Sequence, residues 1–277
     1  MLLSRNKNLR LLWGMLETAN LLSLRLAWKN RAAVRSFPGE IFRCYMSLAK
    51  QDRWQCRNVF EIFPNSKAVR ATIEHLPQAG MNSPPDDLTR LAFITKLLEP
   101  KTIFEIGTYR GRTALNFALN SPPDCTVYTL DLPVASKPGA IQRAYKADAN
   151  LIGRSRPGID YEGKDVSGKI VQLYGDSQTF DFLPFCGKMD LLFIDGAHDY
   201  EAVRVDTTNA LRMLKPGGVI LWDDFADYGD QNGVTRAVLS LIPGEEVIQV
   251  DHTHIALHRP KFANGSAAQG AQRKTVA

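Results

Sequence analysis

The chain has 277 residues, 44% hydrophobic and 23% charged, which suits one α/β domain with an attached helical segment and a core able to fold without staples. Its net charge of +5 is uneven: residues 1–60 hold eleven Lys/Arg against three Asp/Glu and the remainder 23 against 26, so no nucleic-acid partner is expected outside the N-terminal segment. Four scattered cysteines (Cys44, Cys56, Cys125, Cys186) argue against a disulfide framework or metal knuckle, and no run nears the ~20 apolar residues of a membrane span.

Residues 1–84 read as a helical extension. Leu11, Leu12, Met15, Leu16, Leu22 and Leu24 supply an apolar face and Arg/Lys the other. The plain expectation is a cap on the catalytic part or a homo-oligomer contact. The basic amphipathic pattern also suits peripheral attachment to an anionic membrane. Arg5, Lys7, Arg10, Glu17 and Arg25 break up any leader-like apolar region, so a cytoplasmic setting is expected. Residues 61–84 are rich in Pro, Gly and Asn and mark a boundary.

A helix is predicted from near Asp86 to Leu98, with acids in its first turn and Pro100 beyond its end. Strands and helices then alternate. Strands are predicted at Thr102–Ile106, Thr126–Leu130, Ile170–Tyr174, Leu191–Ile194 and Val219–Trp222. Helices are predicted at Arg112–Leu119, Tyr200–Leu214 and Val234–Ile242, and Glu246–Val250 with Ile255–His258 form a closing antiparallel pair. Continuous apolar strands interleaved with helices imply a mostly parallel sheet covered on both faces. Residues 132–169 are long for one connection and suit a lid or substrate loop, with a helix near Ile141–Leu151. Residues 261–277 read as a disordered tail. The domain expected to carry the chemistry is therefore 85–260.

In an open parallel sheet, ligands bind at the carboxyl ends of the strands. Here those ends are acidic: Glu105 beside Gly107, then Asp131, Asp176, Asp195, and Asp223 with Asp224. Gly107 and Gly111 allow a tight strand-to-helix turn against which a ligand can lie on bare backbone. Their spacing lacks the third glycine of a dinucleotide site. An acid beside the turn suits the sulfonium and ammonium of S-adenosylmethionine better than a pyrophosphate. Asp131, 26 residues after Glu105, can accept from ribose hydroxyls, and Asp176 lies where an adenine amino group could be met.

The segments Glu105-Ile-Gly-Thr-Tyr-Arg-Gly-Arg-Thr, Tyr128-Thr-Leu-Asp, Gly175-Asp-Ser, Leu192-Phe-Ile-Asp-Gly-Ala-His-Asp-Tyr-Glu and Leu214-Lys-Pro-Gly-Gly-Val-Ile-Leu-Trp-Asp-Asp resemble, in order, a class I S-adenosylmethionine-dependent methyltransferase of the methyltransferase-24-like group. The resemblance spans roughly residues 85–260. It implies a Rossmann-like, seven-stranded, mostly parallel sheet flanked by helices. It also implies a cofactor seat at Glu105, Gly107, Thr108, Tyr109, Gly111, Asp131, Asp176, Ser177 and Asp195.

Metal-dependent O-methyltransferases of this fold hold Mg²⁺ with acids after the fourth and fifth strands, where Asp195, Asp223 and Asp224 stand. Neighbouring residues of a strand point to opposite faces, so Asp223 and Asp224 can share one ion only where the strand has bent. His198, three residues after Asp195, stands at the spacing of a catalytic base in the macrolide-sugar O-methyltransferases, which this segment also resembles. Asp195 and His198 are thus the catalytic candidates, and the expected reaction is O-methylation of a small-molecule hydroxyl, a sugar hydroxyl among the options. Two alternatives stay open: metal-independent methylation of another acceptor, and a non-catalytic scaffold that keeps the fold. His252, His254 and His258 are expected on an edge strand.

Overall fold

The structure is a computed structural model, and it describes residues 54–64, 69–75, 84–133, 156–226 and 233–260. The chain divides into two compact units, Met1–Gln55 and Cys56–Ala277. The predicted N-terminal amphipathic helices, the helix near 141–151 and the tail 261–277 lie outside the described residues. Among the described residues no helix is long and apolar enough to cross a membrane.

The strands are β1 (Gln55–Arg57), β2 (Thr102–Ile106), β3 (Thr126–Asp131), β4 (Ile170–Tyr174), β5 (Met189–Ile194), β6 (Leu214–Trp222), β7 (Val247–Val250) and β8 (Ala256–His258). They form one sheet in the order β1-β7-β8-β6-β5-β2-β3-β4. Pairing is parallel from β6 through β5, β2 and β3 to β4, and antiparallel where β8 meets β6 and β7. The sheet has eight strands where seven were expected. The addition, β1, reads Gln-Cys-Arg and is too short to show any periodicity.

The helices are α1 (Val59–Ile62), α2 (Pro85–Leu98), α3 (Arg112–Asn120), α4 (Tyr200–Met213) and α5 (Val234–Leu241). Each longer one begins or ends for a visible reason. Pro85 opens α2, where a missing N–H is harmless, and Glu99 closes it in a left-handed cap. Asp199 caps α4 by accepting from the Ala202 amide. Beside α3, Asn116 and Asn120 each exchange two hydrogen bonds with the backbone of Glu74 and Thr72, which lays the 69–75 segment along the helix.

Because the central strands β2, β3, β5 and the second half of β6 carry apolar residues on both sides, both sheet faces need cover. One face buries Ile103, Val127, Leu191, Phe193, Val219 and Leu221 with Leu91, Ile94 and Phe117 of α2 and α3. On the other face Trp222 is fully buried and its Nε1–H donates to Thr207 of α4 at 3.0 Å. The β4–β5 connection carries only a short 3-10 turn, Leu183–Phe185. There Phe180, Phe182 and Phe185 pack edge-on and stacked against Phe104 and Tyr128 in place of a helix.

Two sequence expectations are corrected by this arrangement. Lys215-Pro-Gly-Gly, which lies between the predicted helix Tyr200–Leu214 and the predicted strand Val219–Trp222, is inside β6, whose pairing with β5 shifts register between Met189 and Leu191. β8 lies between β6 and β7 rather than at an edge, so His258 is buried with Nδ1 3.0 Å from the Glu246 carbonyl oxygen. His252 and His254 precede the strand in its turn.

Candidate active site

After β2 the chain goes outward to β3 and β4, then returns to β5 on the other side. The strand order therefore reverses between β2 and β5, and the crevice outside that point is where an open α/β sheet takes its ligand. The strand ends are stitched together there. The Gly107 N–H donates to Leu130 O at 2.9 Å, Asp195 N–H to Ile106 O at 2.8 Å, Asp223 N–H to Ile194 O at 3.0 Å and Gly175 N–H to Asp131 O at 2.9 Å. Gly107, Asp131, Gly175, Asp195 and Asp223 thus share one rim.

The turn after β2 is built on its glycines. Gly107 has φ +101°, and a Cβ there would sit 1.9 Å from Asp195 O. Tyr109 and Gly111 also have positive φ, 47° and 84°. The reversal brings the Tyr109 N–H onto Asp131 Oδ2 at 2.5 Å, while Asp131 Oδ1 accepts from Leu132 N at 2.6 Å. Burial raises the Asp131 carboxyl above its ordinary range, partly offset by these backbone donors. Each carboxylate oxygen has two lone-pair sites, so a ribose hydroxyl could still be accepted at either.

Beneath the turn runs a polar chain. Tyr161 Oη donates to Gln172 Oε1 at 2.6 Å, and Gln172 Nε2 donates to Thr108 Oγ1 at 3.0 Å. Thr108 and Thr129 share a hydroxyl contact of 2.6 Å, and Thr129 donates to Glu105 Oε2 in a very short bond. The Thr108 side chain therefore points into this chain rather than toward a ligand. At its end Glu105 is fully buried and its Oε1 has no hydrogen-bond partner. Burial, reinforced by the Asp131 charge and opposed by the Thr129 bond, pushes the Glu105 carboxyl up to about 8.

Asp195, His198 and Asp224 form the second part of the site. One ligand atom from each lies within 4.8 Å of the others. His198 Nε2 is 2.5 Å from Asp224 Oδ2. Burial and the charges of Asp223 and Asp224 hold Asp195 well above the carboxylate range. Burial alone would raise Asp224 too, but the hydrogen bond and charge of His198 outweigh it and His254 adds to them, so this carboxyl lies low. The group differs from the three aspartates expected. β6 ends at Trp222 and Asp224 takes φ 53°, which turns it away from its neighbour. Asp223 Oδ1 instead accepts from the Asp224 N–H at 3.0 Å, and His198 takes the third place. The two carboxylates suit a hard divalent ion, and the imidazole of His198 stands beside them where a base would.

Asp176 and Ser177 lie on the loop after β4. Asp176 Oδ1 accepts from Gln178 N, and its carbonyl accepts from Thr179 and Phe180. Gln178 Nε2 bonds Ser177 Oγ and Asp206. Asp206, on α4, was not singled out from the sequence. It is fully buried, and burial pushes its carboxyl up to about 7. Its helical position looks like any solvated acid until tertiary structure covers it.

The described end of the long insertion, 156–169, packs on the glycine turn. Gly158 N donates to Tyr109 O and Asp160 N to Arg110 O. Arg110 grips Asp160 with two nitrogens, and the Tyr161 ring fills the space left by the missing side chain of Gly111, where a Cβ would approach to 2.5 Å. Arg112 and Tyr161 are further residues of this site that sequence reading missed. Arg112 sits in a helical stretch and reads as surface, and Tyr161 reaches the turn only through long-range packing.

Residues 104–225 match the family model described as a methyltransferase domain. The chain is 25% identical over 178 residues to a caffeoyl-CoA O-methyltransferase of Stellaria longipes, covering 59% of this chain and 64% of that protein. It is 27% identical over 150 residues to a caffeoyl-CoA O-methyltransferase of Pinus taeda, covering 50% and 56%. It therefore spans less than two-thirds of the length of these relatives. Among solved structures, an O-methyltransferase from Bacillus cereus in complex with S-adenosylhomocysteine aligns at TM-score 0.46 and 18% identity, covering 67% of this chain and 84% of that one. Residues 104–225 thus carry the likeness to a methyltransferase domain, on the mostly parallel sheet described above.

Proposed function

We propose that the chain is an S-adenosylmethionine-dependent methyltransferase that methylates a hydroxyl oxygen of a small molecule. One observation carries the reading: a side-chain-free turn at Gly107 and the acids Asp131 and Asp195 share one rim at the point where the strand order reverses. The family model and the relatives' names support the reaction class.

The residues fit the donor. Gly107 leaves a cradle that a Cβ would fill, and Glu105 presents a buried, unpartnered oxygen below it. In this reading Asp131 holds the ribose hydroxyls, Asp176 and Ser177 line the adenine end, and the backbone of Thr108, Tyr109 and Gly111 forms the floor. Asp195 faces the amino-acid part, and Glu105, held mostly protonated near neutral pH by its burial, ionises as the cationic centre comes to lie above it. The bound donor supplies a methyl group on a positively charged sulfur, so the chain's task is alignment and deprotonation.

Asp195 and Asp224 would hold a divalent ion such as Mg²⁺, which makes an oxygen-bound proton more acidic. His198, fixed by Asp224, then accepts the proton of the acceptor hydroxyl. The short His198–Asp224 contact favours a second reading: a carboxylate-oriented base that works without metal. The two separate in one experiment. Labelled S-adenosylmethionine is incubated with a panel of sugar and phenolic hydroxyl acceptors, with and without a chelator. Either route predicts that Asp224→Ala lowers transfer by roughly 10²-fold or more while S-adenosylhomocysteine still binds. Loss of transfer on chelation selects the metal route and full transfer selects the dyad. Transfer undiminished in Asp224→Ala would reject both roles.

A further inference from the structure

We propose that Asp160, at the described end of the insertion between β3 and β4, is a positioning residue for the donor: it holds Tyr109 in the conformation that aims the Tyr109 N–H at Asp131, the acid assigned to the ribose. The inference rests on the donor reading above and deepens it.

Tyr109 has φ +47°, a left-handed conformation that a residue with a bulky side chain keeps only where its surroundings hold it there. That conformation brings its N–H onto Asp131 Oδ2 at 2.5 Å. Inside the turn, Gly111 N donates to Thr108 O at 2.7 Å, a bond that uses neither the Tyr109 nor the Arg110 carbonyl. Both of those are taken by the insertion. Gly158 N donates to Tyr109 O at 3.2 Å and Asp160 N to Arg110 O at 2.8 Å. Peptide units are planar, so only two soft torsions join the Tyr109 carbonyl to its own N–H, and pinning the one directs the other.

The Asp160 side chain closes the same contact a second time. Its Oδ1 accepts from Arg110 Nη2 at 2.7 Å and its Oδ2 from Arg110 Nε at 3.3 Å, a two-point pairing that fixes orientation as well as distance. The Asp160 side chain is 10% exposed and that of Arg110 43%. Pulling the insertion off the turn would strand a nearly buried acid without its cation, which is costly.

The insertion is itself braced at two points. The Tyr161 ring lies across Gly111 and Gly158, and its Oη donates to Gln172 of β4 at 2.6 Å. Lys164 Nζ donates to Glu74 Oε2 at 2.7 Å, and the Glu74 backbone exchanges bonds with Asn116 of α3. Residues 158–160 therefore relay the positions of β4 and α3 to Tyr109. A loop that only shielded the turn from water would need apolar cover there; bonds to two successive carbonyls and a paired fork set the turn's direction.

Calorimetry of S-adenosylhomocysteine on the full chain, run as a double-mutant cycle with Asp131→Ala, tests this. Asp160→Asn keeps the side chain's shape but sets a donor against the guanidinium. It is expected to weaken S-adenosylhomocysteine by about tenfold in the otherwise wild-type chain, and by less than about twofold where Asp131 is already alanine. A pair that served stability alone would give no such coupling. Arg110→Gln breaks the pair from its more exposed side and carries the cycle if Asp160→Asn melts early. Equal losses on both backgrounds, or no loss on either, would overturn the proposal. A wild-type chain that does not bind S-adenosylhomocysteine, or an Asp131→Ala chain that binds it as the wild type does, would overturn the donor reading and this inference with it.

Discussion

Gly107→Ala is expected to destabilise the fold by roughly 3–5 kcal/mol and to abolish donor binding. Two effects add. The residue has φ +101°, a region that side-chain-bearing residues rarely adopt. The new Cβ would also sit 1.9 Å from Asp195 O, 2.5 Å from Asp195 C and 2.9 Å from Gly196 N. All three atoms are backbone, so no side chain can swing aside. Relief requires β2 and β5 to part at the crevice, which breaks the Asp195 N–H bond to Ile106 O. Urea unfolding gives the stability and calorimetry with S-adenosylhomocysteine the binding. A change below about 1 kcal/mol with binding intact would mean that the strand ends are looser than described.

Glu105→Gln is expected to move stability and binding in opposite directions. The folded carboxyl lies at about 8 against an ordinary value of 4.5, because burial disfavours its charge. The folded state therefore holds this proton more tightly than the unfolded state does. The resulting stability is present in full below about pH 4.5, falls as pH rises by at most ~1.4 kcal/mol per unit, and is gone above about 8. Glutamine does not titrate, so the variant should match the wild type near pH 5 and exceed it by roughly 2–5 kcal/mol at pH 8.5. The same change removes an acid that can ionise beneath the donor's cationic centre, and at pH 8.5, where the carboxyl is mostly charged, donor affinity should fall by about tenfold. Urea unfolding at the two pH values decides. A stability difference that does not vary with pH would show that Glu105 does not carry this penalty. A residue that weakens the fold while strengthening the site is what a binding residue should be.

The parts of the site that follow from chain-local chemistry were legible in the sequence. Apolar runs closed by Gly or Asp located the ends of β2, β3, β5 and β6, and their order placed those ends on one rim. The three-residue spacing of Asp195 and His198 singled out the histidine that stands beside Asp224. What stayed hidden depends on tertiary cover or on one dihedral angle. Nothing in Trp-Asp-Asp shows that the chain takes a positive φ at Asp224 or that Asp224 comes together with Asp195 and His198. Arg112 and Asp206 look like ordinary helix-surface charges until the crevice closes over them. The chain from Tyr161 to Glu105 joins β2, β3, β4 and the insertion, residues up to 64 positions apart for a single bond, a distance over which periodicity carries no signal.

The central claim is that this rim binds the adenosyl donor, and calorimetry of S-adenosylhomocysteine with the wild-type chain and with Asp131→Ala tests it most directly. The wild type should bind one equivalent, and the variant, with no acceptor left for the ribose hydroxyls, should bind at least about tenfold more weakly. No binding to the wild type, or equal binding to both chains, would contradict the account.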